Sequence, residues 1–309
     1  MVGKVKNLMW AQRACPLCSS KHISSKAEVR ANFPAEESSW EQVKAAFVGL
    51  RNDQVFFSFY RCLDCELLYC PWYFTKEQLD ELYSEMPDNT MGEDKRTAYK
   101  TQSRYARKIV KVSGEVNTIL EVGPDIGFVA KEVAELTNAK NVYLIEPNSA
   151  VHRELSENLA KFTRLEIFTD IQKLNKDDFD LVVGIHVLDH LLYPKRDLAE
   201  FSRISDTYQT SAFVVHNEKS FLRKILKEKW PPFCLQHPQL YNRKTLKRML
   251  ETSDFGDFKI ARTLNYYHLN NLSSMLFKIL GLPQWLTKLV PHLEIPLILG
   301  NIMIISRKK

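Results

Sequence analysis

The sequence lacks the features of a protein that crosses or leaves through a membrane. No apolar run reaches the roughly 18 residues that a spanning helix needs. The first ten residues, MVGKVKNLMW, hold too few apolar side chains for a secretory signal peptide. Internal repeats and low-complexity segments are absent as well. We therefore expect a cytoplasmic, globular protein.

A large excess of one charge is also missing. The formal net charge of +6 is modest for 309 residues, and dispersed cations in Lys95–Lys111 and Arg223–Lys229 supply part of it. Such runs are typical of solvated helix faces, so charge does not indicate a nucleic-acid partner, and we expect none. The apolar content of 45% suits a chain long enough for one α/β domain and a smaller module.

Most of the functional information lies in residues 118–148, TILEVGPDIGFVAKEVAELTNAKNVYLIEPN. An apolar strand over Thr118–Val122 leads into a tight loop with Gly123 and Gly127. An amphipathic helix follows, and then a second strand that ends on Glu146. An acidic residue about 20 positions beyond a glycine-bearing turn is the dinucleotide-fold arrangement for binding a ribose. The segment predicts a nucleoside-containing cofactor at the carboxyl edge of a parallel sheet.

The loop has fewer glycines than the nicotinamide fingerprint G-x-G-x-x-G requires. Asp125 stands at the second glycine position and Phe128 at the third. A carboxylate directed at a pyrophosphate is unfavourable because the two charges repel. S-adenosylmethionine has no phosphate and carries an ammonium and a sulfonium. The acidic loop therefore favours the methyl donor.

The pattern E-x-G-x-x-x-G, filled by Glu121, Gly123 and Gly127, resembles motif I of the class I S-adenosylmethionine-dependent methyltransferases. The resemblance implies a Rossmann-like α/β sheet, parallel with a terminal antiparallel strand, and S-adenosylmethionine as cofactor. It also implies that Glu146 binds the ribose, that Asp170 or Ile171 contacts the adenine, and that His186 contacts the methionine part. The implied cofactor-binding residues are Glu121, Gly123, Asp125, Gly127, Glu146, Asn148, Asp170, Ile171 and His186.

The resemblance continues from Tyr99 to the end of the sequence. FDLVVGIHVLDH, at Phe179–His190, reads as a buried strand and resembles motif IV, with Asp189 replacing the glutamate of the usual V-L-E-H segment. The other predicted elements are a third strand at 164–168, a helix at 194–204, a fifth strand at 210–215, and a terminal antiparallel pair at 256–264 and 301–307.

Four of the six cysteines form two C-x-x-C pairs. Thiolates two residues apart can converge on one ion, and two pairs complete a tetrahedral site, so Cys15, Cys18, Cys62 and Cys65 predict a structural zinc. The 43 residues between the pairs exceed the usual spacing and require a hairpin insertion, with Val55–Cys62 as the returning strand. Unconnected thiols and a disulfide framework are the alternatives, and the second is disfavoured without a secretion signal.

The stretch Tyr60–Glu85, YRCLDCELLYCPWYFTKEQLDELYSE, resembles the zinc-ribbon segment that precedes the catalytic domain in bacterial methyltransferases of sugars and cell-envelope glycans. In that group a helix with a Leu-Tyr-Ser stretch follows, here with Leu79, Leu82 and Tyr83 at helical spacing. The predicted domains are a zinc-ribbon module at 1–75, a helical connector at 76–115 with a loop at 86–94, and a methyltransferase domain at 116–309.

Two insertions in the predicted methyltransferase domain are expected to shape the acceptor site. The first, 217–241, is rich in Trp and Pro and lies above the carboxyl ends of the strands, where Trp230 either stacks on a ligand ring or packs a rigid loop. The second, 266–296, has apolar helical stripes at Leu272–Leu280 and Leu286–Val290. These stripes are typical of core or dimer packing. The alternative is a helix pair on the inner membrane surface that reaches a lipid-linked glycan.

Methyl transfer is an in-line displacement that depends mainly on alignment, and a general base assists oxygen or carbon acceptors. His186, His190 and His237 are the predicted catalytic residues because they lie at strand ends or in the first insertion, with His216 as a fourth candidate. Of these, His237 is the leading candidate for the base.

The sequence thus predicts a zinc-ribbon-bearing methyltransferase. Its expected acceptor is a small polar molecule, such as a sugar hydroxyl in glycan or secondary-metabolite synthesis. The alternatives are a nicotinamide-dependent oxidoreductase, disfavoured by Asp125 and Phe128, and a non-catalytic methyltransferase-like binding module.

Overall fold

The computed structural model describes residues 10–47, 54–86, 95–162, 164–174, 179–204 and 210–308. The predicted loop at 86–94 lies outside the described residues except for Met86.

The N-terminal part is a small module of short strands around the four paired cysteines. Strand β1 pairs antiparallel with β4, and β2 with β3. The elements are β1 (Ala11–Gln12), α1 (Trp40–Ala46), β2 (Tyr60–Arg61), β3 (Leu68–Tyr69) and β4 (Trp72–Tyr73).

The interval between the cysteine pairs differs from the hairpin predicted for it. Antiparallel bridges do join Val29 to Phe59 and Ile23 to Cys62, but helix α1 lies between these two segments. Ser39 caps the helix: its side chain accepts a hydrogen bond from the Gln42 backbone, and the Gln42 side chain accepts one from the Ser39 backbone. This reciprocal S-x-x-Q cap is a local signal for a helix start.

Two helices connect the module to the large sheet: α2 (Lys76–Glu85) and α3 (Lys95–Ser113). Thr75 and Gln78 form the same reciprocal cap at the start of α2. Leu79 and Leu82 are buried, as their helical spacing predicts.

In the described part of the chain the large sheet has seven strands, in the order β11-β14-β9-β8-β5-β6-β7. The first half runs β5 (Thr118–Val122), α4 (Phe128–Thr137), β6 (Asn141–Ile145), α5 (His152–Leu159) and β7 (Arg164–Phe168). The second half runs β8 (Leu181–Ile185), α6 (Pro194–Arg203), β9 (Thr210–His216), α7 (Phe221–Leu226), β10 (Gln239–Leu240), α8 (Arg243–Glu251) and β11 (Phe255–Arg262). The chain ends with β12 (Asn265–His268), α9 (Leu269–Leu280), β13 (Glu294–Leu297) and β14 (Asn301–Lys308).

Strands β5 to β9 of the sheet pair in parallel, whereas β14 pairs antiparallel with both β9 and β11. The predicted Rossmann-like sheet with a terminal antiparallel strand is confirmed. Alternate residues of β5 contribute to different cores: Leu120 and Val122 pack with α6 and α8 on one face, and Ile119 packs with α3 and α4 on the other. The apolar run in this strand is continuous because both faces of the sheet are covered.

Strand order reverses between β5 and β8, because the chain proceeds outward to β6 and β7 on one side and to β9 on the other. Open α/β sheets bind ligands at the carboxyl ends of the strands at such a switch point. The loop after β5 and the turn after β8 lie on its two sides, so the predicted donor and acceptor residues meet there.

The module is joined to the first insertion by strand pairing. Strand β3 pairs antiparallel with β10 of the first insertion, and the Cys70 backbone donates to the Pro238 carbonyl over 2.9 Å. Arg61 adds an ion pair with the buried Glu218, with 3.0 Å between Nη1 and Oε1. The module and the first insertion therefore form one continuous structure.

The second insertion has an α-helix at only one of its two predicted apolar helical stripes. It contains helix α9, a 3₁₀ helix at Gln284–Leu289, and the antiparallel pair of β12 and β13. Met275 and Leu276 pack against the module's core, which accounts for part of the predicted apolar stripe. Among the described helices, none has the length and apolar character needed to cross a bilayer.

Candidate active site

The loop after β5 is built around two glycines with left-handed backbone conformations. Gly123 has φ of 62° and Gly127 has φ of 82°. A Cβ on Gly123 would lie 2.8 Å from Val187, and one on Gly127 would lie 2.6 Å from Leu155. Both positions therefore favour glycine for its backbone conformation, and at Gly123 the β-branched Val187 also leaves little space for a side chain. The loop packs directly against the turn after β8, which contains Val187.

Asp125 at the tip of this loop also has a positive φ, 54°. Its backbone N donates to Glu146 Oε2 over 3.1 Å, and the backbone N of Asn148 donates to Glu146 Oε1 over 2.8 Å. The Glu146 carboxylate is thus fixed at the carboxyl end of β6 beside the glycine loop. Burial is the main cause that raises its pKa.

Glu121 is buried beneath the same loop. Its Oε2 accepts a hydrogen bond from the Ala130 backbone in the first turn of α4, over 2.7 Å. Burial raises the pKa of Glu121 to about 8, against the lowering effect of that hydrogen bond. The contact ties β5 to the start of α4 and so shapes the loop between them.

The predicted adenine residues follow β7 at the same edge of the sheet. Asp170 caps the 3₁₀ helix Ile171–Lys173, because its Oδ1 accepts from the Gln172 backbone over 2.9 Å. Ile171 packs on the core of the sheet. Asn148 uses its side chain in a similar cap, accepting from the Ala150 backbone over 3.0 Å.

The four histidines proposed for catalysis converge on the other side of the switch point. The rings of His186 and His216 stack with centroids 4.2 Å apart, and the ring of His237 lies 4.9 Å from that of His216. His190 Nε2 is 3.1 Å from His237 Nε2. We call His186, His190, His216 and His237, together with Asp189, the histidine cluster.

Neighbouring groups hold the imidazoles of the cluster in place. His237 Nδ1 lies 2.8 Å from the Pro232 carbonyl, and His190 Nδ1 lies 3.2 Å from the Tyr83 hydroxyl. His216 Nδ1 lies 2.7 Å from Asp189 Oδ2. The side chains of the cluster and the groups that hold them therefore come from the ends of β8 and β9, from helix α2 and from the first insertion.

Burial determines the charge state of the cluster. It lowers the pKa of His237 to about 4 and that of His216 to about 3. It also lowers the pKa values of His186 and His190 well below the usual range, while burial raises the pKa of Asp189 to about 6. The imidazoles are therefore neutral near pH 7, with a lone pair on each ring.

Trp230 of the first insertion lies in the core. It is 3% exposed, and its ring packs edge-on against Phe233 and His216. These contacts favour the packing role over the stacking role for this side chain.

The four paired cysteines lie together, as the C-x-x-C spacing predicts. The Sγ atoms of Cys15 and Cys65 are 3.4 Å apart, and those of Cys18 and Cys62 are 3.5 Å apart. All four sulfurs lie within 4.8 Å of one another. With zinc–sulfur bonds of about 2.3 Å, tetrahedral thiolates stand a little under 4 Å apart, roughly the spacing found here. The cluster can hold a structural zinc.

Residues 97–258, just over half of the chain, match the family model of the methyltransferase domain. The chain belongs to this family. The prediction of an enzyme of the methyltransferase class is thereby confirmed, and the nicotinamide-dependent alternative is not supported. No curated protein matches the sequence of this methyltransferase.

Solved structures of other methyltransferases share the fold. A chain in the complex between a methyltransferase activator and a putative methyltransferase of Haloferax volcanii is 9% identical, with a TM-score of 0.52 over 70% of this chain and 93% of that chain. The N-methyltransferase NodS of Bradyrhizobium japonicum, crystallised with S-adenosyl-L-homocysteine, is 13% identical, with a TM-score of 0.48 over 75% and 97% of the two chains. A SAM-dependent methyltransferase from Archaeoglobus fulgidus is 18% identical, with a TM-score of 0.47 over 69% and 96%.

Three residues that the sequence analysis does not place in the site contact it in the structure. His152 Nε2 lies 2.8 Å from the Glu146 carbonyl. Tyr83, which the sequence predicts only on an apolar helix face, reaches His190 with its hydroxyl. Asn301 Nδ2 lies 3.2 Å from His186 Nε2. These three contacts span from 6 to 115 residues of sequence, and the longer ones have no local pattern that could reveal them.

Proposed function

We propose that this methyltransferase transfers the methyl group of S-adenosylmethionine to a small polar acceptor, most readily a sugar hydroxyl. The observation that carries the donor assignment is the fixed carboxylate of Glu146, which sits beside the Gly123–Gly127 loop at the switch point. A carboxylate in this position accepts hydrogen bonds from ribose hydroxyls.

The charges of the loop support a cationic donor over a pyrophosphate. The carboxylates of Glu121, Asp125 and Glu146 lie close enough to influence one another, because Asp125 and Glu146 both act to raise the pKa of Glu121. Glu121, whose pKa is raised to about 8, is neutral near pH 7, so the charges of Asp125 and Glu146 disfavour a phosphate at this place and favour the ammonium and sulfonium of S-adenosylmethionine. The neighbour NodS, crystallised with S-adenosyl-L-homocysteine, is consistent with this donor.

The histidine cluster supports an acceptor that must lose a proton. As the S–CH₃ bond of the donor breaks and the O–CH₃ bond forms, the acceptor hydroxyl gives its proton to a base and S-adenosylhomocysteine leaves. His237 is the proposed base and His190 its partner, since their Nε2 atoms are 3.1 Å apart. His186 remains the predicted contact for the methionine part of the donor.

The proposal that the acceptor is a sugar depends on the four-cysteine module that precedes the catalytic domain. The module pairs with β10 and so fixes the first insertion, which bears His237, over the carboxyl edge of the sheet. This placement supports a role for the module in shaping the acceptor pocket.

Calorimetric titration with S-adenosylmethionine tests the donor assignment, with NADH as the control ligand. We expect micromolar affinity for the methyl donor, a loss of about 100-fold in Glu146→Ala because charge-assisted hydrogen bonds to the ribose are removed, and no binding of NADH. Glu157→Ala is the matched control, because Glu157 lies on α5, the helix that follows β6, and its side chain is 69% exposed. Unchanged affinity in Glu146→Ala would reject the donor site, and binding of NADH alone would reject the cofactor.

The second insertion supports contact with a membrane surface that carries a lipid-linked acceptor. Its 3₁₀ helix and flanking loops expose large apolar side chains, among them Trp285 at 61% and Leu289 at 73%. Exposed patches of this kind mark interaction sites, and an aromatic ring beside aliphatic side chains suits the lipid interface.

Flotation with anionic vesicles, such as phosphatidylglycerol mixed with phosphatidylcholine, tests this contact. We expect the methyltransferase to float with the vesicles and the Trp285→Ser/Leu289→Ser double variant to remain in the dense fraction. The exposed Leu63, far from the insertion in sequence, provides the control variant Leu63→Ser. No flotation of the unaltered protein, or equal flotation of the double variant, would reject the membrane contact.

A further inference from the structure

Asp189 of the histidine cluster is a buried carboxylate with one unused oxygen. Its Oδ2 accepts from the backbone N of His216 over 2.9 Å and lies 2.7 Å from His216 Nδ1. Within the described residues, Asp189 Oδ1 is buried and has no hydrogen-bond partner. Leaving a buried polar atom unpaired is unfavourable, and more so for a charged group. The site therefore favours a positively charged ligand from outside the chain.

His186 presents a second unused atom to the same cluster. Its Nδ1 is buried and, among the residues that the structure describes, has no hydrogen-bond partner. Its Nε2 lies 3.2 Å from the side-chain amide of Asn301. When the amide is oriented with its oxygen toward the ring, Nε2–H donates to Asn301 and the lone pair resides on Nδ1. His186 then offers a nitrogen ligand in place of an unpaired donor.

His216 is oriented in the manner of a metal-binding imidazole. Its Nδ1–H donates to Asp189 Oδ2, which leaves the lone pair on Nε2. Imidazoles that bind metals commonly donate their other ring nitrogen to a carboxylate, and this hydrogen bond fixes the tautomer. The contact with Asp189 thus supplies an orientation that a metal ligand requires.

We propose that His186, Asp189 and His216 bind a divalent transition-metal ion at the carboxyl edge of β8 and β9. Each offers one ligand atom, and the three atoms lie within 4.8 Å of one another. With bonds of about 2.1 Å, ligand atoms around one ion stand about 3–3.5 Å apart. Because the rings of His186 and His216 are stacked, with 29° between their planes, they must turn relative to each other for both lone pairs to point at one ion. Two imidazoles and one carboxylate suit zinc or iron(II), and they leave coordination positions open.

The position of the site would give the ion a role in methyl transfer as well as in stabilising the fold. The turn that carries His186 and Asp189 packs against the Gly123–Gly127 loop of the proposed donor site, since Val187 of this turn lies next to Gly123. An ion there would act as a Lewis acid that polarises an acceptor oxygen bound at an open position. This role rests on the proposed function, whereas binding of the ion does not.

Metal content measured by plasma mass spectrometry on zinc-equilibrated, dialysed protein tests the site. We expect two zinc ions per chain, one for the four cysteines and one for the histidine cluster, and a loss of one in Asp189→Asn and in His186→Gln. His292→Ala is the matched control, because His292 is exposed on the second insertion, and it should retain both ions. One ion in the unaltered protein, or two in both cluster variants, would overturn the proposal.

X-ray absorption at the zinc edge tests the same site without any variant. A nitrogen or oxygen shell at about 2.0–2.1 Å, beside or instead of the sulfur shell at about 2.3 Å, supports the histidine cluster as a ligand set. A pure sulfur shell assigns all bound zinc to the cysteines and overturns the proposal. Neither measurement depends on turnover, so a failure of the proposed function would not be mistaken for a failure of the metal site.

Discussion

Cys62→Ser is expected to lower both the stability and the turnover of the methyltransferase. Cys62 is fully buried among the four sulfurs, so the serine variant loses a zinc ligand in the module's core. Structural zinc contributes about 10 kcal/mol or more to folding in small zinc-binding peptides. We therefore expect the free energy of unfolding to fall by about 3 kcal/mol or more, measured by denaturant unfolding with zinc content determined on the same sample.

Turnover should fall with stability because the module holds the loop that carries His237. Strand β3 begins three residues after Cys65 and pairs with β10, and the Tyr73 hydroxyl donates to the Leu235 carbonyl. When the module loosens, the segment from Leu235 to Leu240 loses these partners, and His237 separates from His190. Histidine ring signals in NMR spectra should report this change before global unfolding.

Cys70→Ala is the matched control for that variant. Cys70 is equally buried but does not belong to the four-sulfur group, and its hydrogen bond to the Pro238 carbonyl comes from the backbone. We expect this variant to keep its zinc and the His237 signals with only a modest loss of stability. If Cys62→Ser also keeps its zinc and an unchanged His237 environment, the coupling between the module and the site does not exist.

The sheet could be predicted from the sequence because its signals are local. Thr118–Val122 and Arg164–Phe168 have the predicted bounds, since each is a short apolar or alternating run ended by a turn. Ser39 and Gln42 form a local cap that indicates helix α1, but the cysteine spacing alone predicts a hairpin in this interval. The strands of the second insertion have no comparable signal, because its leucines have helical spacing, while β12 and β13 pair with Tyr266 opposite Pro296.

The site could be predicted only in part. Motif order placed the histidines at strand ends, and parallel strands bring such ends to one edge. Their mutual arrangement could not be derived, because His190 and His237 meet across 47 residues, and the insertion that carries His237 is held by its pairing with the module. The pairing of Asp189 with His216 likewise depends on the register of β8 against β9. These contacts are properties of the packed structure and not of any single motif.

His237→Gln is expected to reduce turnover about 100-fold while leaving the affinity for the methyl donor unchanged, because loss of a general base costs about 10²–10⁴ in rate. The glutamine can still form a hydrogen bond near the Pro232 carbonyl, which limits structural damage at a position that is 1% exposed. Single-turnover kinetics with saturating donor, combined with donor titration, separate the two effects.

The pair formed by His190 and His237 provides the sharpest form of this test. If the two imidazoles act as one unit across their 3.1 Å contact, the double variant His190→Gln/His237→Gln should be hardly slower than His237→Gln alone. Fully additive losses would show that the two residues act independently. Equal activity of His237→Gln and the unaltered protein would remove His237 from the mechanism, and a parallel loss of donor affinity would assign it a structural role. His22→Ala, at a side chain that is 78% exposed in the module, should change neither quantity.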